Sequence, residues 1–237
     1  MKKALQIGGI AAGFVLAAFG IAAIVLSING NSTVNSNLKN EYIVGTPDMA
    51  PGAAINAEIA GIKASQQKIA AAQKQANVPQ SQQYAFTTVT APTCSVAGKQ
   101  VSNGSHARCF AQYMRIHALS ASNGLTYSQM GRYQAKPGAP IKSTDFNGGT
   151  NSPDSAVSNP ATKQPVENGI RNVWVTETAL TSALNLAYTA SQIALLGLVV
   201  GIALLLSGVG FLILALSGAV GRVPFTKEES VPTAESA

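Results

Sequence analysis

Two cysteines and two histidines are the residues of this chain whose types could do chemistry, and their spacing decides which kind. Cys94 and Cys109 are the only cysteines. An even pair suits a structural disulfide, provided the segment lies on an oxidising side of a membrane. Closing a loop of this length would contribute roughly 3 kcal/mol by chain entropy. Zinc is the rival reading, with His106 close to Cys109 and His117 further along. Structural zinc sites take four ligands in compact pairs. The sequence holds no CxxC or HxxxH pair, so no metal site is expected. Neither histidine has an Asp or Glu beside it in sequence to orient it as a general base. The chain also lacks a GxSxG elbow, a GxGxxG after a strand and a P-loop. No catalytic residue, no cofactor site and no enzymatic activity are therefore expected.

The elements that must position the cysteines begin with two apolar runs. Only 11% of the residues are charged and 46% are hydrophobic, with a mean hydropathy of +0.19. Soluble domains carry about 25% charge. The modest mean reflects two strongly apolar blocks with a polar middle. Residues 4–28 are interrupted only by Gln6 and Ser27. As a helix they reach about 37 Å, enough to cross a bilayer core of about 30 Å. Lys2 and Lys3 precede this run, as in a secretory signal. A signal has a shorter apolar core, of about 7–15 residues, and a small-residue cleavage site after it. Here Ala22 and Ala23 lead into Ile24, Val25 and Leu26. An uncleaved anchor is the favoured reading, and a cleaved signal is its rival. Residues 191–220 form the second span, uncharged throughout and followed by Arg222 and Lys227. Basic flanks mark the cytoplasmic side. The expected topology is a two-pass protein of the plasma membrane with residues 1–3 and a disordered tail 221–237 in the cytoplasm and residues 29–190 outside.

Both spans carry small residues four apart, Gly9 with Gly13 and Gly197 with Gly201. Such spacing lets helix backbones approach closely in lipid. The spans contain no ionisable group, which argues against a proton or ion path.

The expected fold is mostly α: two transmembrane helices flanking a small, loop-rich extracytoplasmic domain. A polar linker is expected at 29–40. A helix at 53–77 carries Ile55, Ile59, Ile62 and Ile69 on one face. That stripe suits a core, and a short coiled coil with a second copy is its alternative. A strand is expected at 84–90. A second helix at 107–122 presents Phe110, Tyr113 and Met114, with Ile116 and Leu119 widening the face, and Asn123-Gly124 stops it. The disulfide would staple a core at 84–133. Residues 136–165, rich in Pro, Gly, Asn and Ser, read as a flexible loop. A lead-in helix at about 168–190 runs into the second span. Trp174 is expected in the domain core, and Tyr188 near the membrane interface.

The net charge of +6 is scattered. Nucleic-acid binding needs a basic face, and none is visible, so nucleic acid is not an expected partner.

Several segments together are characteristic. They are 96–101, Ala111-Gln112, His117-Ala118-Leu119, Leu125-Thr126-Tyr127 and the amphipathic helix entering a span over 172–216. With the N-terminal anchor they resemble a family of small two-span actinobacterial membrane proteins that often carries the label "aromatic ring-opening dioxygenase". Segments 31–80 and 136–165 go beyond the shorter family members. Ring-opening dioxygenases hold a non-haem iron with histidines and a carboxylate. Two scattered histidines do not supply that set, so the resemblance implies a membrane architecture and no such activity. Accessory subunits of actinobacterial respiratory supercomplexes have a similar layout. The expected function is a non-enzymatic accessory or scaffolding subunit in the lipid bilayer, beside a larger membrane complex or a second copy of itself. The alternative is an extracytoplasmic module that binds or senses a cell-envelope polymer or an exported ligand.

Overall fold

A computed structural model describes residues 2–137 and 148–217; the side chain of Lys2, Arg222, Lys227, the whole tail 221–237 and part of the expected 136–165 loop lie outside the described residues. Among the described residues four α-helices account for most of the length: α1 (Lys2–Asn40), α2 (Ala53–Gln75), α3 (Gly104–Ala121) and α4 (Gly169–Leu216). The chain divides into two compact units. One contains α1 through Asn31 and α4 from Ile193 onward; the other is Ser32–Gln192.

In the first unit both helices are long and apolar enough to cross a membrane. Their surfaces remain apolar outward, with Phe14, Phe19, Leu206 and Ile213 each more than half exposed. A soluble protein rarely presents so much contiguous apolar area. These features are consistent with a two-pass membrane protein. Ser27, the polar interruption in the first run, donates to the Ala23 carbonyl at 2.7 Å, which satisfies its hydroxyl within the helix.

The expected linker at 29–40 is instead the last part of α1. Val34 and Leu38 are four apart, so helical geometry puts both on one face. That face joins the core of the second unit, while the Asn and Ser residues stay on the polar side. Burial of one apolar stripe outweighs the weak helix propensity of Asn and Ser. Lys39 lies in the last turn, where a cation suits the helix dipole. The Lys39 carbonyl accepts from Gln100 Nε2 at 2.8 Å.

In the second unit the isoleucine stripe of α2 faces the core. Ile55, Ile59, Ile62 and Ile69 are all buried, and α2 packs on α3. Core packing therefore accounts for the stripe. α3 starts three residues before the expected position because Asn103 caps it, its side chain accepting the amide of His106 at 2.9 Å. It ends as expected, with Asn123 and Gly124 at positive φ and the Gly124 amide bonded to the Leu119 carbonyl at 2.7 Å. Segments 43–49 and 96–101 pair through isolated bridges. Gly45 lies so close to the Val96 carbonyl that a Cβ there would collide with it.

The expected strand at 84–90 does not form; the described residues contain only isolated bridges and no strand ladder. The physical reason is that side chains satisfy its backbone. The Tyr84 amide donates to Gln73 Oε1 at 3.2 Å, and the Ala85 carbonyl accepts from Gln129 Nε2 at 3.0 Å. Within 136–165 the described residues from 148 onward are tied down, unlike the loose loop expected. Thr150 and Tyr133 exchange both backbone bonds at 2.8 and 2.9 Å, and Val157 donates to Gln134 at 2.8 Å. Single bridges of this kind carry no periodic sequence signal. α4 runs without a break from Gly169 to Leu216, so the lead-in helix and the second apolar run are one element. Asn168 precedes it, with Oδ1 accepting the Ile170 amide at 3.2 Å.

Candidate functional site

Three places in the structure gather residues of possible functional weight: a disulfide-stapled face of α3, a cluster around His117, and the packing surface of the two apolar helices.

Cys94 and Cys109 are joined in a disulfide. The bridge fixes the irregular segment before Ser95 onto the start of α3. Tyr113, one turn on from Cys109, reinforces it by donating its hydroxyl to the Cys94 carbonyl at 2.8 Å. Burial of Tyr113 pushes its phenol pKa up, so the donor proton is retained across the physiological range. Beside this staple lies a cleft of about 470 Å³. Thr87, Thr88, Thr90 and Thr93 line one wall, and Gln112 and Arg115 of α3 line the other. Hydroxyls, an amide and a guanidinium offer hydrogen bonds, and none of them is a nucleophile with a base attached.

In the sequence His117 has no acidic neighbour. The fold supplies two. Asp48 Oδ2 lies 3.2 Å and Glu58 Oε2 3.6 Å from His117 Nε2. The three donor atoms lie within 4.8 Å of one another. Asp48 comes from the segment after α1, Glu58 from α2 and His117 from α3. Thr46 Oγ1 donates to the other Asp48 oxygen and holds the carboxyl below its usual pKa, with a smaller contribution from the backbone and from His117 against the opposing cost of burial. Sequence reasoning missed this group because its members are far apart in the chain and share no motif. His106 is elsewhere, its Nδ1 lying 3.1 Å from the Gln100 carbonyl. The two histidines are eleven positions apart on α3, about 16 Å of helix rise. The two-histidine set of a ring-opening dioxygenase is therefore not assembled from them.

In the first unit, Gly13 and Gly201 lie at close backbone approach between α1 and α4. A Cβ on Gly13 would meet the Gly208 carbonyl at 2.9 Å, and one on Gly201 the Gly20 carbonyl at 2.9 Å. Gly9 faces Ala215, and Gly197 faces Ser27. Two further glycines, Gly20 and Gly208, belong to the same surface. A Cβ on Gly20 would meet Leu205 N at 2.6 Å. They are not in a four-residue repeat with the others on one helix, so the GxxxG pattern alone does not reveal them.

This packing gives a first prediction. Gly20→Leu should separate the helices at a cost of about 1–3 kcal/mol, as overpacking of a tight interface does. Gly210 has nothing within 4 Å of its Cβ direction, so Gly210→Leu should leave stability unchanged. Thermal denaturation of both full-length variants in mild detergent checks this. Equal midpoints for the two would reject a close glycine contact.

Comparison with known protein families, with curated proteins and with solved structures returns no match.

Proposed function

We propose that this chain is a two-pass plasma-membrane protein acting as an accessory or scaffolding subunit of a larger membrane complex. Both termini are cytoplasmic, and the unit of residues 32–192 is outside. The observation that carries the reading is the first unit itself: two helices whose apolar stretches, residues 4–28 and 193–216, carry no charge and pack backbone to backbone through glycines, with apolar side chains still facing outward. Lipid covers part of that surface, and the helices of a partner cover the remainder. The disulfide suits the outer side, because oxidising compartments are where such bridges persist. The resemblance noted above makes an actinobacterial respiratory supercomplex the favoured partner. The protein contributes contacts rather than a reaction.

Mild-detergent solubilisation of native membranes, affinity capture and mass spectrometry test the proposal. Stoichiometric recovery of subunits of one membrane complex is the expected result. Recovery of the chain alone, or an active export-dependent reporter fused after Ala237, would overturn it.

The threonine-lined cleft beside α3 favours a second reading, a module that binds a polyhydroxylated envelope polymer or an exported ligand. Its hydroxyls and Arg115 could hold such a ligand without chemistry. Capture of the chain by isolated envelope polymer, with no protein partner recovered, would favour this reading over the first.

A further inference from the structure

We infer that Asp48, Glu58 and His117 form a divalent-cation site in the outer unit, with zinc as the preferred ion. The first reason is geometric. Zinc binds imidazole nitrogen and carboxylate oxygen at about 2.0–2.2 Å, and in tetrahedral geometry two such ligands lie about 3.3–3.5 Å apart. The Nε2–Oδ2 and Nε2–Oε2 separations, 3.2 and 3.6 Å, bracket that edge length.

The second reason is independent of the spacing. His117 Nε2 is shielded from solvent and makes no hydrogen bond. A shielded polar atom without a hydrogen bond is costly. This one lies near two carboxylate oxygens, which are acceptors only. Among the described residues no lysine or arginine forms an ion pair with either carboxylate. A metal ion in the middle satisfies all three groups together.

The third reason concerns support and access. Thr46 engages the far oxygen of Asp48 and leaves Oδ2 toward His117, the kind of outer hydrogen bond that orients a ligating carboxylate. The side chains of Asp48, Glu58 and His117 remain 40%, 21% and 25% exposed. Water can therefore reach the carboxylate side of the site and complete the coordination. One nitrogen with two oxygens suits zinc or a similar transition metal, whereas magnesium and calcium favour oxygen alone. Because the ligands come from three separate elements, a bound ion clips the segment after α1 to α2 and α3. An ion that binds only the folded chain raises its stability.

The competing description is a protonated His117 held between two carboxylates, with no affinity for metal. Tag-free, chelator-stripped full-length protein in mild detergent, titrated with zinc chloride by calorimetry, separates the two. The inference requires one equivalent bound and a raised unfolding midpoint with zinc, while magnesium has no effect. Glu58→Gln and His117→Gln should each weaken zinc binding at least about tenfold. His106→Gln should leave it unchanged. Absence of stoichiometric binding, or equal binding by the Glu58 and His117 variants, would overturn the site. Both substitutions are close in size to the originals, and circular dichroism before titration verifies that they fold. Should either fail to fold, Asp48→Asn, at the most exposed of the three, provides the same readout.

Discussion

Trp174→Ala should lower the unfolding midpoint of the unit Ser32–Gln192 by about 6–20 °C. Trp174 is the chain's one tryptophan and is 3% exposed. It sits in the first turns of α4, and its Nε1 donates to Ser122 Oγ at 3.1 Å and to the Leu125 carbonyl at 3.0 Å. Those acceptors lie where α3 ends, so one side chain joins the C-terminus of α3 to the beginning of α4. Arg115 also stacks over the ring, 5.4 Å from its centroid. Truncating a buried aromatic to alanine costs about 3–5 kcal/mol, through lost transfer energy and the cavity left behind. At about 2–4 °C per kcal/mol for a unit of this size, the shift follows. Trp174→Phe separates the two contributions. The ring volume is largely kept, and Ser122 Oγ still donates to the Leu125 carbonyl. Its cost should stay near about 1–3 kcal/mol. Thermal unfolding followed by circular dichroism, with full-length protein in detergent, distinguishes these outcomes. A midpoint for Trp174→Ala within about 2 °C of the unmodified chain would mean that the tryptophan is not the joint between α3 and α4.

The contrast between Trp174 and His117 explains how much of this protein the sequence discloses. Trp174 lies well before the second apolar run, and that distance puts it in the domain core rather than at the membrane interface; the helical period alone favours Val173, which is exposed. For the isoleucines of α2 and for Phe110 and Tyr113 of α3 the period suffices, because each periodic face records one side of one helix. The apolar runs are legible for a similar reason: length and lack of charge are local properties. Residues 29–40 show where local reading stops. Their Asn and Ser content resembles a linker, yet Val34 and Leu38 alone are enough to extend the helix once a core exists for them to join. Residues 84–90 fail in the opposite direction. Their β-branched composition suits a strand, but among the described residues they join no ladder, and Gln73 and Gln129 bond the Tyr84 amide and the Ala85 carbonyl from a distance. The cluster at His117 is the extreme case. Its three members come from three elements, and none lies near another in sequence. Only tertiary packing brings the carboxylates to the imidazole. The glycine surface is intermediate, since Gly9, Gly13, Gly197 and Gly201 follow a recognisable spacing while Gly20 and Gly208 depend on which helix lies opposite.

Removing the disulfide with Cys94→Ala and Cys109→Ala together should cost about 3 kcal/mol, because the closed loop is short and the bridge restricts mainly the unfolded chain. The midpoint should fall by about 6–12 °C. The reason for expecting the full effect here is the segment that the bridge holds. Residues 84–90 form no ladder, so few backbone bonds compensate for a lost covalent tie. The Tyr113 bond to the Cys94 carbonyl survives the substitution on paper, but one hydrogen bond contributes only about 0.5–1.5 kcal/mol. Cys109 is itself 4% exposed, so the double substitution removes some packing as well. Reduction of the unmodified chain isolates the covalent contribution, since it leaves both side chains in place. The reduced chain should melt between the oxidised form and the double variant. Trp174 fluorescence reports the transition in all three samples. Mass spectrometry after alkylation without reductant should show neither cysteine modified in protein taken directly from membranes. Free alkylation of both would remove the staple, and with it the argument that this unit faces an oxidising compartment. The compartment and the fold are thus tested by the same pair of atoms. A chain that lost its bridge in the cytoplasm would also lose the tie that holds the threonine-lined wall against α3.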